Sequence, residues 1–528
     1  KITRDGVDYP LLSTSLPHGV PRLRFPDAEC KIDLEEGAET PTSGVIPLSV
    51  DQLQELRKQM ELYLDKGFWR PSSSSYSAPV LFAPKYNEDG SFRGWRLCVD
   101  YRKLNKITKL DKTPLPHPDQ LVAQLSGAKY FSKLDLTWFF HQIPMRSEDI
   151  EKTAFITRYG LYEWTVMPFG LVNAPATAAR FGNTVFKDFL DNFVVMFLDD
   201  ILVYSKTAEE HLDHLEQILQ RLMYYGLFVA EDKIHFFTDD VTFLGMAIGP
   251  EGIFISEAWK KAIDLWPIPE RTDLLASKMR KGRRSVNKDG KTGVRSFLGV
   301  CGFFRKFVKG YANIARPLTD MLKAEQPFMW LKQHQLAFER LKAAITSADV
   351  LQIPSTDPSH PIEVIPDSSK VAIGGVLLQD QGRGMRPCWF WSQRLSDAES
   401  SKSPYELELN ALVALLKVWK PYLVGRRFVI RTDHAPLKAI PHQVKLTDKI
   451  IRQLDFLSEF AFDVAHIPGV ENSAADGLSR RPDHFWNEDG TRRFEERFPE
   501  EEDGDVNDDF DSNNGCVGED DDDDDDDD

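Results

Sequence analysis

Cysteine is scarce and unpatterned in this chain: the five are Cys30, Cys98, Cys301, Cys388 and Cys516, with no Cys-x-x-Cys pair among them. That scatter argues against a zinc ribbon or a disulfide framework and suits a reducing, intracellular setting. Long apolar runs are also lacking, since none approaches the roughly 20 residues that span a bilayer, so a membrane-spanning role is set aside. No signal-like apolar segment follows Lys1, and the chain reads as a piece of a longer polyprotein. Positive charge is short overall, with a net charge of -17. The deficit is local: residues 483–528 hold 23 Asp or Glu against 3 Arg, and the other residues sum to +3. The closing run Asp520 to Asp528 cannot fold alone, because like charges repel and nothing apolar is there to bury. It reads as a solvated end, with mimicry of nucleic acid or contact with a basic partner as alternatives.

What is present suffices for several packed cores: 528 residues, 42% of them hydrophobic. The most informative stretch is Phe197-Leu198-Asp199-Asp200, where two carboxylates interrupt an apolar run from Phe193 to Tyr204 that predicts a buried β-hairpin. Burying two like charges is costly unless a cation or partner neutralises them. A hard divalent ion is the natural neutraliser, because Mg²⁺ prefers carboxylate oxygens and brings substrate phosphates with it; an Asp-Asp turn capping two ordinary strands is the plainer alternative. Asp135 ends another strand-like run, Tyr130 to Leu136, and could meet the hairpin across a sheet. Three carboxylates can hold two metals about 4 Å apart, one activating a primer 3′-hydroxyl and one steadying pyrophosphate.

The motifs around these acids occur in a definite order: Lys85, Arg96-Leu97-Cys98-Val99-Asp100-Tyr101, Leu134-Asp135-Leu136, His141-Gln142-Ile143, Met167-Pro168-Phe169-Gly170, Asn173-Ala174-Pro175 and Phe197-Leu198-Asp199-Asp200. Together they resemble the reverse transcriptase of gypsy-type long-terminal-repeat retrotransposons. The resemblance implies that Asp135, Asp199 and Asp200 are palm metal ligands, and that Lys85 and Arg96, on a fingers hairpin turning at Asn87-Glu88-Asp89-Gly90, hold the incoming triphosphate. A solvated hairpin face is the alternative for the last two. It further implies that Phe140 lies under the sugar and selects deoxynucleotides, with Phe169 in the same pocket, although both suit a core as well. Phe243-Leu244-Gly245 matches the short strand that steadies the primer end.

A second acidic set follows in a different setting. Strands are predicted over His360 to Gln379 and Phe428 to Asp433, and Tyr405, Leu409, Leu412, Leu416, Trp419 and Leu423 mark an amphipathic helix over Tyr405 to Val424. This pattern describes a mixed α/β domain. Glu406 and Glu408 lie about 200° apart on that helix, so only one faces a given site. The match to ribonuclease H selects Glu408, and Asp367, Glu408, Asp433 and Asp476 then form the implied quartet for two Mg²⁺ or Mn²⁺ ions, nicking RNA in an RNA–DNA hybrid.

The resemblance thus implies an α+β multidomain chain: a right-hand polymerase of fingers, palm and thumb, followed by a connection and a ribonuclease H-like mixed α/β domain. Residues 1–45 read as a leader or linker from an upstream polyprotein, 46–252 as fingers and palm, and 253–353 as thumb and connection with a basic insert at 272–293. Residues 354–482 would be the nuclease domain and 483–528 an acidic disordered tail. The insert is either a nucleic-acid-binding loop or a translated scar of a decaying element. Arg305, Lys306 and Lys309 are expected to track a template–primer backbone, and His211 and His214 to sit on the exposed side of a helix over Glu209 to Tyr225.

Implied partners are an RNA template, a DNA primer, an RNA–DNA hybrid and deoxynucleoside triphosphates, in an intracellular particle or nucleus; a homodimer is compatible with the family, though no residue points to one. Three departures bear on activity. Thr137, Trp138 and Phe139 replace an arginine and two small residues, Ala178-Ala179 replace Phe-Gln, and Pro366 replaces a threonine. Two functions follow: an RNA-directed DNA polymerase with ribonuclease H activity, or a catalytically impaired retroelement relic that still binds template–primer or hybrid.

Overall fold

The apolar run around Asp199 does fold as a hairpin, of strands Val194–Phe197 and Asp200–Ser205, in the computed structural model. The structure describes residues 2–4, 7–19, 21, 29–86, 92–269, 290–323, 326, 328–355, 357–369, 371–432 and 448–466. Tyr130–Asp135 pairs antiparallel with the second hairpin strand, and His235–Thr238 closes the other edge of this four-stranded palm sheet. Helix Ala208–Tyr225 covers it, started by a capping box of Thr207 and Glu210 and stopped at Gly226, whose φ of 74° is the left-handed conformation that terminates helices.

The fingers form a five-stranded sheet in the order Trp69–Pro71, Gly160–Trp164, Phe155–Thr157, Ala78–Tyr86, Phe92–Val99. Helix Val50–Asp65 leads into it, with Ser49 as its N-cap in a capping box with Gln52. The proline-rich segment ahead of that helix, expected as a linker, lies against the palm. Leu11, Leu16, Cys30 and Ile32 are buried. Ser13 N–H donates to Val229 O at 2.9 Å, Val229 N–H donates to Leu11 O at 3.0 Å, and Thr137 Oγ1 donates to Ser13 O at 2.6 Å.

Beyond the palm, strands Val241–Phe243, Met246–Gly249 and Gly252–Phe254 form a small antiparallel sheet, followed by helices Glu257–Asp264, Lys291–Phe303, Tyr311–Met321 and Lys332–Thr346. Gly252 is required here: at φ 134°, a Cβ would stand 2.1 Å from Leu351 O, which is bridged to Ile253. Most of the basic insert, residues 270–289, lies outside the described residues, as do the fingers turn at 87–91 and everything after 466.

The last domain carries a five-stranded sheet in the order Met385–Arg394, Ala372–Asp380, Ile362–Ser368, Arg427–Thr432, Ala461–His466. The first three strands are antiparallel and the last two are parallel to Ile362–Ser368, within the mixed α/β domain read from the sequence. The predicted long helix ends early, as Pro404–Val418 followed by a short turn at Lys420–Leu423. Pro421 explains the break, since it has no N–H to bond the Lys417 carbonyl and its ring crowds that carbonyl. Pro366 is accommodated because the described parallel pairs, Glu363 with Val429 and Val364 with Ile430, stop before it. One buried apolar cluster runs from Leu121, Val122 and Leu125 of the palm through Phe297 and Phe338 to Trp389, Leu409 and Phe428. No helix among the described residues is long and apolar enough to cross a membrane.

Candidate active sites

Asp135 and Asp200 are direct cross-strand partners, so both side chains stand on one face of the palm sheet. Asp199 lies beside them in the two-residue turn between paired residues Phe197 and Asp200. Leu198, in that turn, has φ 56°, a left-handed conformation that costs a non-glycine residue roughly 1–3 kcal/mol. Crowding by protein pushes the Asp199 carboxyl above the usual range, and the charges of Asp135 and Asp200 add to the rise; a main-chain hydrogen bond and Lys233 act against it.

Two lysines meet the other carboxylates. Lys233 Nζ is 3.1 Å from Asp135 Oδ1 and Oδ2, and Lys133 Nζ is 3.0 Å from Asp200 Oδ1. Among the described residues, no three His, Cys, Asp or Glu side chains are gathered closely enough to hold a metal ion. The sequence reading missed both lysines. Lys133 had a signal, two residues before Asp135 on the same strand face; Lys233 is brought in only by the fold.

Lys85 and Arg96 are brought together. Their strands pair Lys85 with Gly94 and Ala83 with Arg96, which makes the two cations diagonal neighbours on one face of the fingers hairpin. Both are exposed. Both also pull down the thiol of Cys98, although burial is the larger influence and raises it. Phe140 and Phe169 form an aromatic pair with centroids 5.0 Å apart, and Phe169 is 55% exposed.

The bulky residues that precede this pair pack within the protein. Trp138 adopts φ 47° and packs edge-on against Tyr63 at 6.0 Å, with Lys66 Nζ 5.8 Å from its ring centre. Phe139 is 3% exposed and meets Phe181 at 5.7 Å. Ala178 is fully buried one helical turn from Phe181, so Phe139 supplies bulk where the helix has little. Phe139→Ala is therefore expected to lower stability by about 3–5 kcal/mol, as removal of a buried aromatic does. Chemical denaturation checks this, and a loss under 1 kcal/mol would show that the ring is not holding the palm.

Phe243, grouped with the primer-binding residues in the sequence, is fully buried. Leu244 and Gly245, at φ 51° and 73°, form the turn it anchors. In the last domain, Asp367 is exposed near the end of Ile362–Ser368. Glu408 projects from Pro404–Val418 to the end of the neighbouring strand, where Thr432 Oγ1 donates to its Oε2 at 3.5 Å. Asp433 and Asp476 lie outside the described residues.

Two expectations are corrected. His211 is fully buried, within 2.7 Å of Ser132 Oγ and 2.8 Å of Ser205 Oγ. It falls on the stripe of Leu215, Ile218 and Leu222, at helical spacing. Arg305 and Lys306 are engaged within the protein: Arg305 Nη2 donates to Ser392 O, and Lys306 Nζ is 2.7 Å from Asp119 Oδ1.

Burial lowers the imidazoles of both His211 and His141 to about 4. His141 Nδ1–H donates to Met167 O at 3.1 Å. Each folded value lies below the ordinary 6.5, so the unfolded chain binds the extra proton, and the stability these residues contribute is complete above pH 6.5 and lost as pH falls toward 4. For fully desolvated His141 the loss is about 3 kcal/mol. Denaturation midpoints at pH 7.5 and 4.5 should fall less in a His141→Gln variant than in the parent; equal falls would remove His141 from the account.

Known families match both domains. The family described as "Reverse transcriptase (RNA-dependent DNA polymerase)" matches residues 84–248, and "RNase H-like domain found in reverse transcriptase" matches residues 357–460. The "Retrovirus-related Pol polyprotein from transposon 297" of Drosophila melanogaster is 37% identical over 435 residues, 82% of this chain and 39% of that protein. This chain is a Pol-polyprotein region of the long-terminal-repeat retrotransposon family. The "Transposon Tf2-3 polyprotein" of Schizosaccharomyces pombe is 32% identical over 440 residues, covering 82% of this Pol region and 31% of that protein. The Pol region therefore spans between about a third and two fifths of the length of these relatives. A foamy viral protease-reverse transcriptase, solved in complex with RNA/DNA hybrid, shares the fold at a TM-score of 0.68 and 21% identity, over 87% of this chain and 59% of that one.

Proposed function

We propose that this Pol region copies RNA into DNA at the palm and cleaves the RNA strand of the resulting hybrid at the nuclease domain. The observation that carries the polymerase half is the carboxylate cluster: Asp135 opposite Asp200, with Asp199 in the adjoining turn and its acidity suppressed partly by its neighbours. The donor chemistry, all oxygen and triply negative, suits a hard divalent cation such as Mg²⁺ or Mn²⁺, which would have to draw the three carboxylates closer than they stand here. Asp135, Asp199 and Asp200 would hold it in the palm, and Asp367 and Glu408, with Asp433 and Asp476, in the nuclease domain. When bound, such ions lower the pKa of a hydroxyl or water and offset charge on phosphate.

The rest falls to the chain itself. Lys133 and Lys233 neutralise Asp200 and Asp135 until a cation takes that role, which keeps like charges from destabilising the sheet. Lys85 and Arg96 offer an exposed cationic face to a triphosphate, and Arg96 suits bidentate phosphate contact. The Phe140–Phe169 pair offers an apolar floor for a deoxyribose. Leu244 and Gly245 would support the primer end, held in place by Phe243. The packing of Trp138 on Tyr63 and of the buried Phe139 ring on Phe181 favours this reading over an impaired relic, because both bulky rings have partners within the protein.

The test is incorporation of deoxynucleotides on an RNA template with a DNA primer in Mg²⁺. Extension is expected. No extension by folded protein that still binds template–primer would leave the impaired reading in its place.

A further inference from the structure

We propose that Lys306 is a pin that fixes the nuclease domain against the palm and so sets the spacing along a bound duplex between the two carboxylate sites. This rests on the two-activity reading above. The Lys306 side chain is 15% exposed, and its ammonium is shared between two remote elements. It lies 2.7 Å from Asp119 Oδ1 on palm helix Pro118–Gln124, and 4.7 Å from the ring centre of Trp389 on nuclease strand Met385–Arg394. A charge withdrawn from water needs such partners to stay. Tyr422 of the nuclease domain makes a second tie, donating from its hydroxyl to Asp119 O at 3.3 Å.

Both ends of the pin lead to proposed site residues. The chain runs from helix Pro118–Gln124 into strand Tyr130–Asp135, which carries Asp135. Strand Met385–Arg394 pairs with Ala372–Asp380, which pairs with Ile362–Ser368, the strand of Asp367. The strand that carries Trp389, itself 4% exposed, is tied to helix Tyr311–Met321 farther along: Ala312 N–H donates to Ser392 Oγ at 3.0 Å, and Arg394 Nη1 lies 2.7 Å from Asp320 Oδ1. The buried apolar cluster shared by these domains supplies cohesion, but apolar packing is non-directional. An ion pair and a cation held over a ring have direction, and that is what a fixed orientation requires.

The experiment uses the full chain with Lys306→Met, which keeps the aliphatic stem without the charge, and Lys306→Arg, which keeps the charge. On a hybrid of 5′-labelled RNA with a recessed DNA 3′ end, the parent is expected to cut within a narrow window at fixed spacing from that end. Lys306→Met should broaden or shift the window while primer extension and total RNA cleavage stay within about twofold, and Lys306→Arg should restore it. Unchanged cut positions in Lys306→Met overturn the pin.

A second measurement needs no catalysis. Amide exchange in Pro118–Gln124 should quicken about tenfold in Lys306→Met, and unchanged exchange in folded protein also overturns the proposal. If the parent neither extends nor cuts, the two-activity reading fails, while the exchange result still judges the contact.

Discussion

Replacing Asp199 with asparagine is expected to reduce primer extension on an RNA template by on the order of 10³-fold or more, since loss of several kcal/mol of charge stabilisation scales that way. It should do so without lowering the unfolding midpoint of metal-free protein. The second half separates a functional carboxylate from a structural one. Asp199 stands at a hairpin tip with its carboxyl raised by crowding and by Asp135 and Asp200, so its negative charge is a burden on the fold. Asparagine keeps the shape and removes that burden. A midpoint that holds or rises while extension disappears identifies a residue kept for chemistry at the expense of stability. A midpoint that falls by several degrees would instead mean that Asp199 caps the turn, and the loss of extension would follow from misfolding.

Asp367→Asn should leave extension within about twofold and reduce cleavage of RNA in a hybrid by on the order of 10³-fold, through the same loss of a ligand carboxylate. The independence follows from the architecture: Asp367 lies in the mixed five-stranded sheet, and Asp135, Asp199 and Asp200 lie in or at the edge of the separate palm sheet. Gel analysis of labelled RNA and labelled primer in one reaction reads both. Persistent RNA cleavage in Asp367→Asn would remove that residue from the nuclease site, and Glu408→Gln would then decide whether the helix face beside Thr432 belongs to it.

The hairpin of Asp199 and Asp200 is legible in the sequence because two carboxylates inside an apolar, β-branched run conflict with burial, and such conflicts are where function is sought. The mixed α/β character of the RNase H-like domain was legible from alternating strand and helix periods, whereas the parallel and antiparallel pairing of its strands was not. Other features depended on partners distant in the chain. Lys306 sits in a basic run that suits phosphate contacts, and nothing nearby in sequence indicates Asp119 or Trp389 as its partners. Lys233 reaches Asp135 only through the sheet. His211 differs: its spacing with Leu215, Ile218 and Leu222 does signal burial, and the lack of a third metal ligand in the sequence says nothing against a buried imidazole satisfied by hydroxyls. Ser132 and Ser205, which satisfy it, come from two separate strands.

The strap at Leu11 to Ser13 has a consequence for how the protein is made. Its main-chain bonds to Val229 join the start of the described chain to a segment that is synthesised only after the fingers and most of the palm. Contacts so far apart in sequence form late and slowly. On the ribosome, Leu11 to Ser13 must therefore wait unpaired while the palm sheet takes shape. During that interval Leu11 and Leu16, buried in the finished protein, present a short apolar segment that invites chaperone binding or premature association with a neighbouring nascent chain.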